Sequence, residues 1–337
     1  MKTFIIWMTT DCNMNCTYCY EGRDKKHINI SEDILQQTLL FIQKYMASYQ
    51  DEELVVDFHG GEPLLQYDKV IYAVKTLREK YGEGIRFGIT TNGTIMTDNV
   101  LKLLTNEFDY SLTVSLDGEE KYHNMNRKMK TGEGSYEKAM QTALSILKIR
   151  KDVRIRMTVN SRNVCNFCNN VLHLLNMGFS VIAPAIDYFD LSWDQDSMYL
   201  LENQLIDLKR CLKDMDKENI RVGLVDDYRQ QKIGICLGGL TSFHINPKGQ
   251  IYPCSYAVGE LQYLIGDVKN GINNEKVKWF QTINDVKNMD CMGCGHEEAC
   301  LASRCKLLNY YITNNLYLPA PTVCTVENIK KRVGLIE

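Results

Sequence analysis

Short apolar runs alternate with longer stretches of helical period through roughly the first 190 residues of the 337-residue chain. The runs at residues 4–8, 54–58, 86–90, 111–114, 153–159 and 179–183 predict strands. Between them, residues 31–49, 65–80, 98–106, 135–150 and 164–177 predict helices. Ser31, followed by Asp33, reads as a helix start and Gly178 as a stop. Six βα units in succession predict an α/β fold, a partial (β/α)6 TIM-type barrel, with its active site at the carboxyl ends of the strands. Past residue 190 the rhythm gives way to a polar, amphipathic segment ending near residue 218. From Val222 onward short strands and turns dominate, and the stretch 242–254 predicts two strands joined by Pro247-Lys248-Gly249. The expected division is a barrel over residues 1–220 and a second domain over 221–337.

Thirteen cysteines are many for such a chain, yet it opens MKTFIIWMTTDC, with Asp11 and no cleavable signal pattern. A disulfide-rich secreted protein is therefore disfavoured. No apolar run approaches the roughly 20 residues of a membrane span. Lys+Arg of 39 against Asp+Glu of 42 leaves a net charge of -3, without a basic stripe. The expectation is a cytoplasmic protein with neither nucleic acid nor membrane as partner. In a reducing compartment, closely spaced cysteines hold metal or iron-sulfur clusters more often than bridges.

Cys12, Cys16 and Cys19 stand at CxxxCxxC directly after the first strand. Three thiolates do not complete a tetrahedral zinc site. They are able to hold three irons of a 4Fe-4S cluster, which would leave the fourth open to an exogenous ligand. The loop carries them to the strand's carboxyl end, where barrel chemistry occurs.

CNMNCTYC in this position closely resembles the radical S-adenosylmethionine (radical SAM) family. The resemblance implies a cluster on Cys12, Cys16 and Cys19 that binds SAM and, once reduced, cleaves it to methionine and a 5'-deoxyadenosyl radical. That radical abstracts hydrogen from substrate, with electrons from an external donor such as flavodoxin or ferredoxin. Gly60-Gly61-Glu62-Pro63 after the second strand matches the family's GGEP motif. Paired glycines let a ligand approach bare backbone, and Glu62 is able to accept from an ammonium. Thr91-Asn92-Gly93 and Ser115-Leu116-Asp117-Gly118 end the next two strands with short polar groups suited to ribose hydroxyls. By resemblance Ser115 and Arg127 contact SAM, Arg127 at its carboxylate, while Tyr18 lies near the adenine. Pro184-Ala185, ending the sixth strand, is a weaker match for the adenine side.

The remaining clustered thiols are Cys236, Cys254, Cys291, Cys294, Cys300, Cys305 and Cys324. They resemble the SPASM extension, which carries two auxiliary 4Fe-4S clusters, although four residues rather than the usual three separate Cys300 from Cys305. By the family's connectivity Cys291, Cys294, Cys300 and Cys324 ligate the distal cluster. Cys236, Cys254 and Cys305 hold the proximal one, which then lacks a cysteine ligand unless another group completes it. A zinc ribbon on Cys291 and Cys294 would need a second close pair.

SPASM enzymes mostly modify peptides or proteins. Sulfatase-maturing relatives place an aspartate base directly after the cysteine that corresponds to Cys254, whereas this chain has Ser255, a poor base at neutral pH. The stretch PCSYAVGELQYLIGDV looks instead like peptide maturases that form thioethers. An open proximal iron gives a physical reason, since it would capture a substrate cysteine as thiolate beside the carbon radical. Carbon-carbon crosslinking, epimerisation and formylglycine formation are the alternatives; an iron-sulfur electron carrier would leave the GGEP, TNG and SLDG motifs without a purpose. Because the chain begins at its first strand, a leader-peptide-binding protein is expected to be separate or unnecessary. Cys165, Cys168 and Cys211 would be the hydrogen donors of an epimerase, but as helical residues they read as packing. His59, Tyr256 and Tyr228 are candidates for the pocket wall or for the core.

Overall fold

The computed structural model describes residues 1–19, 21, 27–213, 215, 219–225 and 234–335; Tyr228 and the expected segment end at Glu218 lie outside the described residues. Seven strands run parallel in chain order: β1 (Lys2–Thr9), β2 (Leu54–Gly60), β3 (Ile85–Thr91), β4 (Ser111–Ser115), β5 (Arg154–Val159), β6 (Val181–Ile186) and the short β7 (Arg221–Val222). Between them come α1 (Glu32–Met46), α2 (Tyr67–Tyr81), α3 (Asp98–Glu107), α4 (Glu120–Asn126), α5 (Tyr136–Ile149), α6 (Phe167–Asn176) and α7 (Gln195–Lys213). The expected α/β architecture is present, and among the described residues the parallel series stays open, with β7 at its edge.

Local chemistry explains the boundaries. Ser31 caps α1 by accepting from the Ile34 N–H at 3.2 Å. Gly178 follows α6 at φ +95°, a left-handed turn that suits glycine. The expectation missed α4, whose few apolar residues leave no stripe to read. Along each strand alternate residues face opposite ways. Phe4, Ile6, Met8, Phe58 and Phe87 join the core under the helices. Trp7, Asp57, His59, Arg156 and His244 occupy the alternate register positions that point to the barrel interior.

The C-terminal part opens with the hairpin the sequence predicts, β8 (Ser242–Ile245) and β9 (Gln250–Tyr252), followed by β10 (Gly266–Asp267) and β11 (Gly271–Ile272). Asn246 ties the turn, its Oδ1 accepting the N–H groups of Lys248 at 3.0 Å and Gln250 at 3.1 Å. Unforeseen by the sequence, β8 pairs in parallel with β1, so the 11 strands of the described residues form one sheet. Phe4 stacks on Phe243 at 5.2 Å, and Tyr45 of α1 meets both rings at 5.6 and 5.1 Å. The two parts of the chain thus share sheet hydrogen bonds and an aromatic core. The helices α8 (Asn274–Asp285), α9 (Leu301–Arg304), α10 (Lys306–Thr313) and α11 (Pro321–Gly334) follow. Among the described residues, no helix is long and apolar enough to cross a membrane.

Inside the barrel, burial pushes the Asp57 carboxyl from its ordinary 3.8 up to about 7, with Arg154 only partly opposing it. Its Oδ1 has no hydrogen-bond partner among the described residues. The native state therefore keeps a proton that the unfolded chain releases. Whatever Asp57 contributes to stability is present below its ordinary value and is lost as pH rises through about 7. Accordingly, Asp57→Asn should raise the thermal midpoint over wild type by an amount that grows from about pH 4 to about pH 7 and is constant above; thermal melts across this range read it.

Candidate active site

The loop after β1 is held from both sides. On one side the Gly61 N–H donates to Thr9 O and the Glu62 N–H to Asp11 O, both at 2.9 Å. On the other, the Asn15 N–H donates to Lys128 O at 2.8 Å and the Thr17 N–H to Asn126 O at 2.9 Å. Lys130 and His27 both reach Asp11 Oδ1, at 2.7 and 2.9 Å. Cys12, Cys16 and Cys19 come together in this loop: burial pushes the Cys16 thiol up to about 11, and Cys12 and Cys19 push in the same direction. Cys12 Sγ receives the Met14 N–H at 3.4 Å and the Asn92 amide at 3.7 Å.

The glycine pair is required by the chain's own packing. A Cβ on Gly60 would stand 2.1 Å from Thr9 O, and one on Gly61 2.0 Å from Asp11 O, so the bare backbone admits the chain itself. Glu62 is fully buried and already engaged. Its carboxylate accepts from Thr91 Oγ1 at 2.9 Å, the Asn92 N–H at 2.7 Å and the Leu64 N–H at 3.1 Å. Burial pushes it up to about 7 against the pull of these donors. Asn92, expected near a ribose, spends its side chain on Cys12, Asn13 and Thr94. The GGEP and TNG turns together brace the thiol loop.

Asp117 organises the opposite wall. It lies 3.1 Å from Arg127 Nε, accepts the Thr158 N–H at 2.9 Å and accepts the Tyr18 hydroxyl, while the Arg127 guanidinium sits 5.1 Å over the Tyr18 ring. Burial pulls against the Arg127 charge, and Asp117 beside it outweighs that pull. Burial also pushes the Tyr18 hydroxyl well up, keeping it protonated as a donor. Ser115 closes β4, buried, two residues before Asp117. Asn126, unremarked in the sequence, accepts from Thr17 Oγ1 at 2.9 Å and Asn160 at 3.2 Å, and its buried Nδ2 has no acceptor among the described residues. Pro184-Ala185 lies inside β6 rather than at its end.

The C-terminal thiols fall into two neighbourhoods. Cys254 is pushed up to about 12 by burial first, with Cys305 and Cys236 acting in the same direction. Cys324 is pushed up to about 11 by burial, then by Cys300, Cys291 and Cys294. Among the described residues no three His, Cys, Asp or Glu side chains converge tightly enough to hold a single metal ion. A cubane spreads its irons over separate corners, so its thiolates need not meet at a point. Three thiols in one loop, N–H donors on the Cys12 sulfur, and a buried Asn126 amide donor without an acceptor among the described residues fit a cluster with a polar ligand beside it.

A cavity of about 1010 Å³ lies between the barrel's carboxyl end and the C-terminal part. Tyr18, Cys19 and Trp7 line it from the barrel, Ser255, Tyr256 and Glu260 from across. Asp187, Phe189 and Asp190, which follow β6, also reach it and carried no sequence signal beyond their place at a strand end. His59 is absent from this wall; it sits by His244 in the barrel interior, its imidazole pushed down to about 4 by burial, then by Arg156. Cys165, Cys168 and Cys211 do not line the cavity either. Cys168 is buried as expected, but Cys165 and Cys211 are exposed, because their helix positions face away from the core.

A parallel (β/α) sheet with three thiols after its first strand defines a radical SAM-type fold. Residues 6–161 match the Radical SAM superfamily, and this part of the chain is a radical SAM domain. The chain is 32% identical over 146 residues to a serine-type anaerobic sulfatase-maturating enzyme of Bacteroides thetaiotaomicron, a match spanning 41% of this chain and only 34% of that protein. It is 22% identical over 342 residues to the cysteine-type enzyme of Clostridium perfringens, covering 90% of this chain and 91% of that one. Among solved structures, anSMEcpe with bound AdoMet superposes at TM-score 0.79, with 18% identity over 98% of this chain and 96% of that one. Streptococcus suis SuiB bound to precursor peptide SuiA gives 0.68, with 15% identity over 96% and 75%.

Gly61→Ala should force the thiol loop away from β2, since the added methyl meets main-chain carbonyl rather than a movable side chain. The expected cost is about 1–3 kcal/mol, measured by denaturant unfolding, together with weaker iron retention by the N-terminal thiols.

Proposed function

We propose that the protein is a cytoplasmic radical SAM peptide maturase that forms thioether crosslinks from the cysteines of a ribosomally made peptide. The observation that carries this reading is the cavity itself. It joins the thiol loop at Cys19 to the wall beside Cys254 and is large enough to admit peptide side chains between them. Cys12, Cys16 and Cys19 would hold the cluster that binds SAM; Tyr18, Gly60, Gly61, Glu62, Ser115 and Arg127 form its surroundings. In residues 221–337, read as a SPASM domain, Cys291, Cys294, Cys300 and Cys324 would hold one auxiliary cluster, and Cys236, Cys254 and Cys305 the other. When bound, these groups supply radical generation and one-electron transfer, with electrons from flavodoxin or ferredoxin.

The chain's own residues do the positioning. Asp117 keeps Arg127 charged and Tyr18 turned toward it, so a ligand carboxylate meets a cation already in place. Glu62 braces the turn that carries Asn92 onto Cys12. Ser255, beside Cys254 on the cavity wall, is a poor proton acceptor, which disfavours a base at that place in the chain. Formylglycine formation is the second reading, favoured by the sulfatase-maturating relatives. Epimerisation is weakened because none of the three spare thiols reaches the cavity.

Anaerobic reconstitution should load about 12 irons, three cubanes of four; a plateau near four would remove the auxiliary clusters. The triple variant Cys12→Ala, Cys16→Ala, Cys19→Ala should lose 5'-deoxyadenosine formation while keeping about two-thirds of the iron.

Mass spectrometry of a modified peptide decides the reaction. Loss of two hydrogens per crosslink is expected, whereas an aldehyde at cysteine or serine would establish formylglycine chemistry instead, and an unchanged mass with an inverted residue would establish epimerisation.

A further inference from the structure

Thioether and formylglycine formation both require that a thiol or hydroxyl of the bound residue give up its proton, and Ser255 is not equipped to take it. Of the four carboxylates on the cavity wall, Glu21, Asp187, Asp190 and Glu260, the two aspartates stand in one loop at the carboxyl end of β6, where barrel chemistry takes place. Their surroundings differ sharply. Asp190 is saturated: Oδ2 accepts the Ser161 N–H at 2.8 Å and Oδ1 the Ser192 N–H at 2.9 Å. Burial would raise it, but these donors prevail and hold it below the usual carboxylate range. Asp187 accepts only backbone N–H groups, from Phe189 at 3.1 Å and from Asp190. Among the described residues no side-chain donor and no cation pairs with its carboxylate.

We propose that Asp187 is the proton acceptor of the cavity, taking the proton of the peptide's reacting thiol or hydroxyl. The inference rests on the peptide-maturase reading and adds the residue that reading lacks. In the step, the S–H or O–H bond breaks, its electron pair stays on sulfur or oxygen, and the proton passes to Asp187, whose carboxylate becomes a carboxylic acid. No oxidant enters the step. The groups that interact with it electrostatically are Asp190 in its own loop and Tyr256 across the cavity; Tyr18, Cys19, Glu21, Arg162, Lys248, Glu260 and Tyr311 are the other ionisable residues of the same wall. Asp187 is near enough to Tyr256 to act on that hydroxyl. Burial, then the like charge of Asp190, pushes Asp187 up to about 6. Two neighbouring carboxyls with separated affinities leave one permanently charged and the other free to cycle a proton.

Two measurements on the cluster-loaded enzyme test this. Carbodiimide labelling of carboxyl groups from about pH 4 to about pH 8, mapped by mass spectrometry, should show Asp187 half-labelled near pH 6 and Asp190 only at the acid end. An Asp187 profile that follows Asp190 would overturn the assignment. A synthetic peptide with a single cysteine, and its serine analogue, provide the kinetic probe. Asp187→Asn should lower product by about 10²-fold or more and remove the inflection near pH 6 from the rate profile, and Asp187→Glu should restore that inflection. Full product with the inflection intact in Asp187→Asn would refute it, with iron content and melting temperature reporting that the variant is folded. If wild type cleaves SAM but alters neither peptide, the peptide reading falls, and the labelling profile still decides whether Asp187 is a proton acceptor.

Discussion

Everything at the carboxyl end of the barrel depends on one close approach, that of the Gly60-Gly61 backbone to the Thr9 and Asp11 carbonyls. No side chain fits between them, since an added Cβ would stand within about 2 Å of carbonyl oxygen. Two backbone hydrogen bonds at 2.9 Å close the contact, and the thiol loop leaves β1 in a fixed direction because of it. Glu62 extends the constraint inward: its buried carboxylate collects donors from the turn after β3, and Asn92 in that turn reaches Cys12. Three strand ends are thereby coupled through one carboxylate.

The second wall works by charge. A guanidinium buried as deeply as Arg127 is tolerated because Asp117 pairs with it, and the pair is anchored in turn by the Thr158 N–H and the Tyr18 hydroxyl. Such a pair contributes little net stability, but it presets orientation. Charge and hydrogen-bond donors are thus assembled before any ligand arrives, which lowers the ordering cost of binding. The parallel pairing of β8 with β1 then brings Cys254 and its neighbours to the far side of the same cavity.

The sequence by itself determined the periodic elements and the local motifs. Six strands and five of the helices were legible because their apolar residues recur at intervals of two or of three to four, and such periods are local properties of the chain. The CxxxCxxC, GGEP and TNG stretches were legible as motifs because each occupies a few consecutive residues after a strand. Their division of labour was not. Whether Gly61 approaches a ligand or a carbonyl of its own chain, and whether Asn92 meets a ribose or a thiol, depends on what lies across a gap, and no spacing along one strand encodes that. Only the tertiary structure joined β8 to β1 and, among the described residues, left Asp187 without a side-chain partner while saturating Asp190 three residues on. The physical reason is that a strand's period follows from backbone geometry, whereas partners and burial, which set what a carboxylate or thiol does, follow from contacts between residues far apart in the chain.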